Sequence, residues 1–384
     1  MEFEVFYHWF FTFWSFVYGL MIGSFLNVCI YRMPPKLYIF DDITYKEESD
    51  FTYYLNRLLY FLRLKKEEKK PLIIPSLYAE GIIGVTISPE SITHAAIAHN
   101  FNLFRQFYPD PVNIVKPRSF CPHCRNMIRW WMNIPVLSWI ILGGKCYFCK
   151  EKISPRYLLI ELFTGLVFGG LFYLHGMADV GTFLLYATLS SLCIVVFFVD
   201  LEHWIIMDEI TLPFSALAVI ASLFIPYSSY MPYPGIFSLI EWNQVIPAGI
   251  YNWFMNLVQT SPHWLHPDSF VQSLTGAIIG FASFWAIGVI GTVVLKREAM
   301  GGGDVKFAML MGAFLGTMKA GLAFFIAVVI GTLILLPLLL INKKTGKDQV
   351  PFGCFLALAT MIVIFLGDKI MWFYFNWPDM VFGR

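Results

Sequence analysis

Two aspartates and four cysteines carry the chemistry of this sequence. Asp200 ends the apolar run GTFLLYATLSSLCIVVFFVD, and Asp304 follows three glycines in MGGGDVKFAMLMGAFLG. An ionised carboxylate at membrane depth is costly, so an acid kept there is a functional hypothesis by default. Two carboxylates sharing one proton can hydrolyse a peptide bond. The ionised one takes a proton from the attacking water; the protonated one polarises the carbonyl and then helps the amine to leave. Gly301 and Gly303 let the backbone turn tightly before Asp304 and approach a substrate strand, because no side chain stands in the way. Lys306, two residues on, is a cation placed to act on Asp304. The segment DLEHWIIMDEITLP adds Glu202, Asp208 and Glu209. Asp208 and Glu209 read as solvated interfacial acids. Asp208 can also cap the helix that follows, and it is the reserve candidate for the catalytic pair.

Cys121, Cys124, Cys146 and Cys149 form CPHC and CYFC, two CxxC knuckles whose spacing suits tetrahedral zinc. Four thiolates leave no open coordination position, so the expected role is structural. Two disulfides are the competing reading, and a reducing cytosol argues against them. His123 lies inside the first knuckle and reads as solvated. Cys29, Cys193 and Cys354 fall in apolar runs, where cysteine behaves as a small apolar residue.

The elements that must position these groups are membrane spans. Mean hydropathy is +0.64 and only 14% of residues are charged, which excludes an ordinary soluble domain. Spans are expected near 9–30, 157–176, 181–200, 209–229, 270–295, 319–341 and 352–373, each with roughly the 20 apolar residues a crossing needs. A short apolar piece, 305–316, reads as a tilted span or a re-entrant helix, and counting it gives about eight. The first span lacks a small-residue cleavage site and reads as a retained helix. Residues 31–156 hold 18 of the 27 Lys and Arg, whereas 230–268 hold none. The positive-inside rule therefore puts 31–156, 296–304 and 342–350 in the cytosol, with both termini outside and both aspartates at the cytosolic face. Basic residues serve topology and anionic-lipid contact; nothing in their spacing indicates nucleic acid. The expected class is an all-α polytopic membrane protein with a small cytosolic zinc-binding insertion. Its parts are a first helix (1–30), an insertion (31–156) whose zinc module is 117–156, a membrane peptidase domain (157–373) with an aromatic outer loop (230–268), and an outer tail (374–384).

Four stretches, in order along the chain, resemble the type IV prepilin peptidases: GSFLNVCIYRMP at 23–34, KPRSFCPHCRNMIRWWMNIPVLSWIILGGKCYFCKEKISPRY at 116–157 with FNL before it, VDLEHWIIMDEITLP at 199–213, and GGGDVKFAMLMGAFLG at 301–316. PFGCFLALA at 351–359 is a supporting echo. The resemblance implies an aspartic endopeptidase that removes the basic leader of type IV prepilins or type II secretion pseudopilins at the cytosolic face of the bacterial inner membrane. It also implies N-methylation of the new N-terminus from S-adenosyl-methionine. Asp200 and Asp304 match the catalytic pair, and the four cysteines match a zinc quartet. The family usually has Leu-Pro-Asp or Ile-Pro-Asp where this chain has Ile206-Met207-Asp208, so the helix start there is open to difference. No glycine-rich Rossmann-type loop marks an S-adenosyl-methionine site. The resemblance puts the methyltransferase with the cytosolic zinc domain and the 23–34 segment, whose Asn27 and Arg32 are polar groups at the interface. Asn27 reads as a helix–helix hydrogen bond, Arg32 as an interfacial anchor, and Glu161 as a partner for Arg156. The polar excursion 36–80 reads as a docking segment for substrate or for pilus or secretion assembly proteins. Two other classes compete: a transporter that relays protons or cations through the two aspartates, and a non-catalytic assembly scaffold.

Overall fold

The computed structural model describes residues 2–33, 118–121, 123–124, 126–177, 179–226, 256, 258–296, 300–340 and 351–382. The excursion 36–80, most of the loop 230–268, the 342–350 loop and the last two residues of the tail lie outside the described residues. Helix dominates what is described. In chain order, α1 is Glu2–Arg32, a short 3₁₀ turn is Trp130–Asn133, α2 is Leu137–Ile141, and α3 is Pro155–Leu171, continued by a π turn at Phe172–Gly176. Then come α4 (Val180–His203), α5 (Asp208–Ala221), α6 (Pro267–Leu295), α7 (Gly302–Leu340) and α8 (Phe352–Phe382).

Six of these, α1, α3, α4, α6, α7 and α8, are long and apolar enough to cross a membrane among the described residues. The chain is an all-α, multi-pass membrane protein. The other two pieces in the expected count of eight are shorter. The 209–229 piece is a helix of 14 residues ending at Ala221. The 305–316 piece is the first arm of α7, which breaks at Gly316 (φ 68°, ψ 176°) and resumes into the second arm. That φ is open to glycine and strained for any other residue.

The chain divides into two compact units, one of Met1–Gly19, Thr164–Pro337 and Lys347–Arg384, the other of Leu20–Phe163 and Leu338–Gly346. In the first unit α4 is the centre, packed most extensively on α8. The first arm of α7 is apolar on every side, and such a helix has to be buried. Phe307, Leu310, Met311, Phe314 and Leu315 are indeed fully enclosed. α6 meets that arm through small residues. A methyl group on Gly276, Gly280 or Gly312 would overlap a backbone carbonyl of the facing helix, so glycine is what permits the approach. Ser273 Oγ donates to the Ala313 carbonyl at 2.6 Å, just before the break. Asp179 starts α4 by accepting from the Gly181 and Thr182 N–H groups at 2.8 and 3.2 Å.

In the second unit, Asn27 Nδ2 donates to the Tyr157 carbonyl at 3.2 Å, the expected helix–helix bond. Glu161, expected as a partner for Arg156, has a backbone partner. Its carboxylate accepts the Val136 N–H at 2.8 Å and so holds the start of α2, where Val136 adopts φ 63°. A β-branched residue at that φ needs such an anchor.

Candidate functional site

α4 ends at His203 because Trp204 turns into the left-handed region (φ 59°, ψ 35°), where its N–H caps the Asp200 carbonyl at 2.9 Å. The chain runs on through Ile205, Ile206 and Met207 and re-enters helix at Asp208. Met207 is the N-cap of α5 and makes no side-chain cap, and Asp208 is the first helical residue and not the cap. This short link puts Ile206 between the two acidic elements. A Cβ on Gly303 would stand 2.9 Å from Ile206 Cβ, and one on Gly353 would stand 2.7 Å from Ile206 Cδ1 and 2.9 Å from Asp200 Oδ2. A Cβ on Gly301 would stand 3.3 Å from Asp304 Oδ2, whereas Gly302 faces open space. Asp200 is 5% exposed and accepts the Cys354 N–H on Oδ2 at 3.0 Å. Asp304 is partly exposed at the start of α7 and lies within electrostatic range of Asp200. The two acids named from the sequence therefore come together, at the C-terminal end of one helix and the N-terminal end of another.

Three contributors were not legible as site residues. Ile206 is the wedge. Gly353 makes room for the Asp200 carboxylate. Cys354 supplies a backbone donor, and its thiol contacts the Phe197 carbonyl at 3.3 Å, so it does more here than fill apolar space. The signal for them was the PFGC run, noted only as an echo of a motif.

Lys306 corrects an expectation. Its ammonium donates to both carboxylate oxygens of Asp208 at 2.7 Å instead of turning to Asp304. Residues two apart on a helix point to different sides, which is why neighbourhood in sequence misleads here. The pair is well exposed, and exposed pairs are worth at most about 1 kcal/mol. Asp208→Asn is therefore expected to keep peptidase activity within about fivefold of wild type. A loss as large as that expected for Asp200→Asn would move Asp208 into the catalytic pair.

The four cysteines meet in the second unit with all sulfurs within 4.8 Å of one another. The contacts run crosswise between the knuckles, Cys121 to Cys149 at 3.9 Å and Cys124 to Cys146 at 4.0 Å. All four are free thiols, so the disulfide reading does not hold. A zinc–sulfur bond of about 2.3 Å implies a tetrahedral edge of about 3.8 Å, close to these separations. Each knuckle is built alike: Cys121 N–H donates to the Asn126 carbonyl at 3.0 Å, and Cys146 N–H to the Glu151 carbonyl at 2.7 Å. Asn126, through its backbone and side-chain N–H groups, brings Cys124 down to about 7, while burial pushes Cys121 up to about 12. A bound metal would have to displace the Cys121 proton, so its affinity should fall as the pH is lowered. Cys146→Ser should lose the bound zinc measured by elemental analysis of the purified protein and lower its thermal midpoint. Full zinc content in that variant would count against a four-thiolate site.

Comparison with known proteins identifies the family. The model of the bacterial peptidase A24 N-terminal domain matches residues 17–175, and the model of the type IV leader peptidase family matches 242–336. The prepilin leader peptidase/N-methyltransferase of Dichelobacter nodosus is 30% identical over 356 residues, covering 92% of this chain and 91% of that protein. The chain belongs to the type IV leader peptidase family. The corresponding proteins of Stutzerimonas stutzeri and Neisseria gonorrhoeae are each 27% identical, over 92% and 94% of this chain and 90% and 92% of theirs. No solved structure matches. The family is one of aspartic peptidases, so the chain is an enzyme by family, and its relatives carry the methyltransferase in their names. The cysteine quartet lies inside the first matched stretch and Asp304 with its glycines inside the second; Asp200 falls between the two.

Proposed function

We propose that this protein removes the leader of type IV prepilins or type II secretion pseudopilins at the cytosolic face of the bacterial inner membrane, with Asp200 and Asp304 as the catalytic pair. The observation that carries the reading is the meeting of these two acids around Ile206, with Gly303 and Gly353 holding space that no side chain could share. One carboxylate accepts a proton from water as that water attacks the scissile carbonyl. The other donates its proton to the carbonyl oxygen; the first then passes the proton it took from water to the leaving amine, and the second recovers its own from the tetrahedral intermediate as the carbonyl reforms. Glycine at 301 and 303 keeps the backbone before Asp304 open to an extended leader strand. The basic residues of 31–156 support the cytosolic assignment.

Cys121, Cys124, Cys146 and Cys149 would hold a structural zinc that fixes the two knuckles and takes no part in bond cleavage. S-adenosyl-methionine would supply a methyl group on a cationic sulfur for N-methylation of the new terminus. Asn27 is one described residue with a buried oxygen to offer such a cation, since its Oδ1 has no hydrogen-bond partner. The domain division follows the same reading: first helix 1–30, insertion 31–156, membrane peptidase domain 157–373 and tail 374–384. Purified protein in lipid nanodiscs, incubated with a full-length type IV prepilin, should shorten it. A prepilin left whole by well-folded protein, with ion flux through the same nanodisc-grade preparation in liposomes, would favour the transporter.

A further inference from the structure

A second buried polar knot lies about four helical turns along the same helices from the aspartates. Lys319 on α7 is 3% exposed. Its ammonium pairs with the Asp368 carboxylate on α8 at 2.7 Å and bonds the Tyr186 hydroxyl on α4 at 3.0 Å. Tyr186 is fully buried, Lys319 Nζ stands 5.6 Å from its ring centroid, and His175 packs edge-on against the same ring. A lysine enclosed in a membrane span is costly and uncommon unless paired. Its position on α7 gives the clue to its use. Gly316, where the helix breaks, is three residues earlier, and the arm before the break begins with the glycines and Asp304. A broken helix presents its first arm at a defined place only when the chain on both sides of the break is held. This one is fixed on both sides: the first arm by Ser273, Gly276 and Gly280 of α6, the second by Lys319. The helices that Lys319 grips are the two that carry Asp200 and Gly353, each about four turns away.

We propose that Lys319 is a positioning residue for the peptidase site. By joining α7 beyond its break to α4 and α8, it sets where the first arm presents Asp304 to Asp200. The proposal rests on the reading of these two acids as the catalytic pair. Its test uses full-length protein in lipid nanodiscs, a full-length type IV prepilin, and the variants Lys319→Met, Lys319→Arg and the double Lys319→Met/Asp368→Leu. Replacing a buried ion pair by apolar side chains is often neutral for stability. The double variant should therefore keep its thermal midpoint, yet lose kcat by about tenfold or more with KM within about twofold. Lys319→Arg keeps the charge and should stay within about threefold of wild type, and Lys319→Met should not. A double variant with wild-type kcat would overturn the proposal, as would a double variant whose KM alone changes. A second readout does not depend on cleavage. Spin labels carried on unnatural ketone residues at Leu201 and Gly302, which leave the cysteines untouched, should show a broader or shifted distance distribution in the double variant. An unchanged distribution would also overturn the proposal. Wild-type protein that fails to cut prepilin, with the spin-label shift present, would reject the functional reading and leave the positioning intact.

Discussion

Asp200→Asn and Asp304→Asn should each lower the rate of leader cleavage by on the order of 10⁴-fold, in protein that keeps its thermal midpoint and its zinc. Each change keeps the shape of the side chain and removes the ability to exchange a proton. The two acids act on one water and one carbonyl, so the losses should not add: the double variant should be about as inactive as either single one. Asp200 is 5% exposed and already accepts a backbone donor, so the amide can be tolerated by turning its NH₂ away from Cys354. N-methylation of a pre-cleaved pilin should survive in both variants, because the reading assigns neither acid to it. Cleavage retained in either variant would remove that residue from the pair, and Asp208 would then be tested in its place.

The glycines around the acids should divide sharply. Gly353→Ala would drive a methyl group to 2.9 Å from Asp200 Oδ2 and 2.7 Å from Ile206 Cδ1, and Gly303→Ala one to 2.9 Å from Ile206 Cβ. The first must move the Asp200 carboxylate, and the second must move either Ile206 or the turn that carries Asp304. A displacement near 1 Å at a reacting group costs on the order of 10²-fold in rate, and this is the loss expected of both variants in kcat for prepilin cleavage. Gly302→Ala meets nothing within 4 Å and should be close to wild type. Alanine is the better helix former by up to about 1 kcal/mol, so that variant should keep or gain stability, which makes it the natural control. If all three behaved alike, the run of glycines would matter for flexibility as a whole and not for the space each leaves.

How far the sequence carries depends on whether a feature is local. Apolar runs of span length and the two CxxC knuckles are local, and α1, α3, α4, α6 and α8 stand close to where the runs placed them. The acids were legible because charge at the end of an apolar run is conspicuous. Contacts between distant segments were not. Nothing in the link 204–207 announces that Ile206 will touch both Gly303 and Gly353, since an isoleucine near a membrane is unremarkable. The apolar run through 305–341 looked like a short piece and a span; it is one helix broken at Gly316, and a glycine among several does not disclose which one bends. Lys319 stands at the start of the expected 319–341 span, and nothing local in the sequence marks it as enclosed. It is enclosed because Asp368 and Tyr186, far away in sequence, provide its partners. Lys306 was assigned by proximity in sequence, and helical geometry sends it to Asp208.

The most direct test is the mass of a type IV prepilin co-expressed with this protein, wild type beside Asp304→Asn. The account predicts a product shortened to the mature chain and heavier by one methylene with the wild type, and an uncut prepilin with the variant. A mature-length product from the Asp304→Asn variant, produced at the wild-type rate, would contradict it.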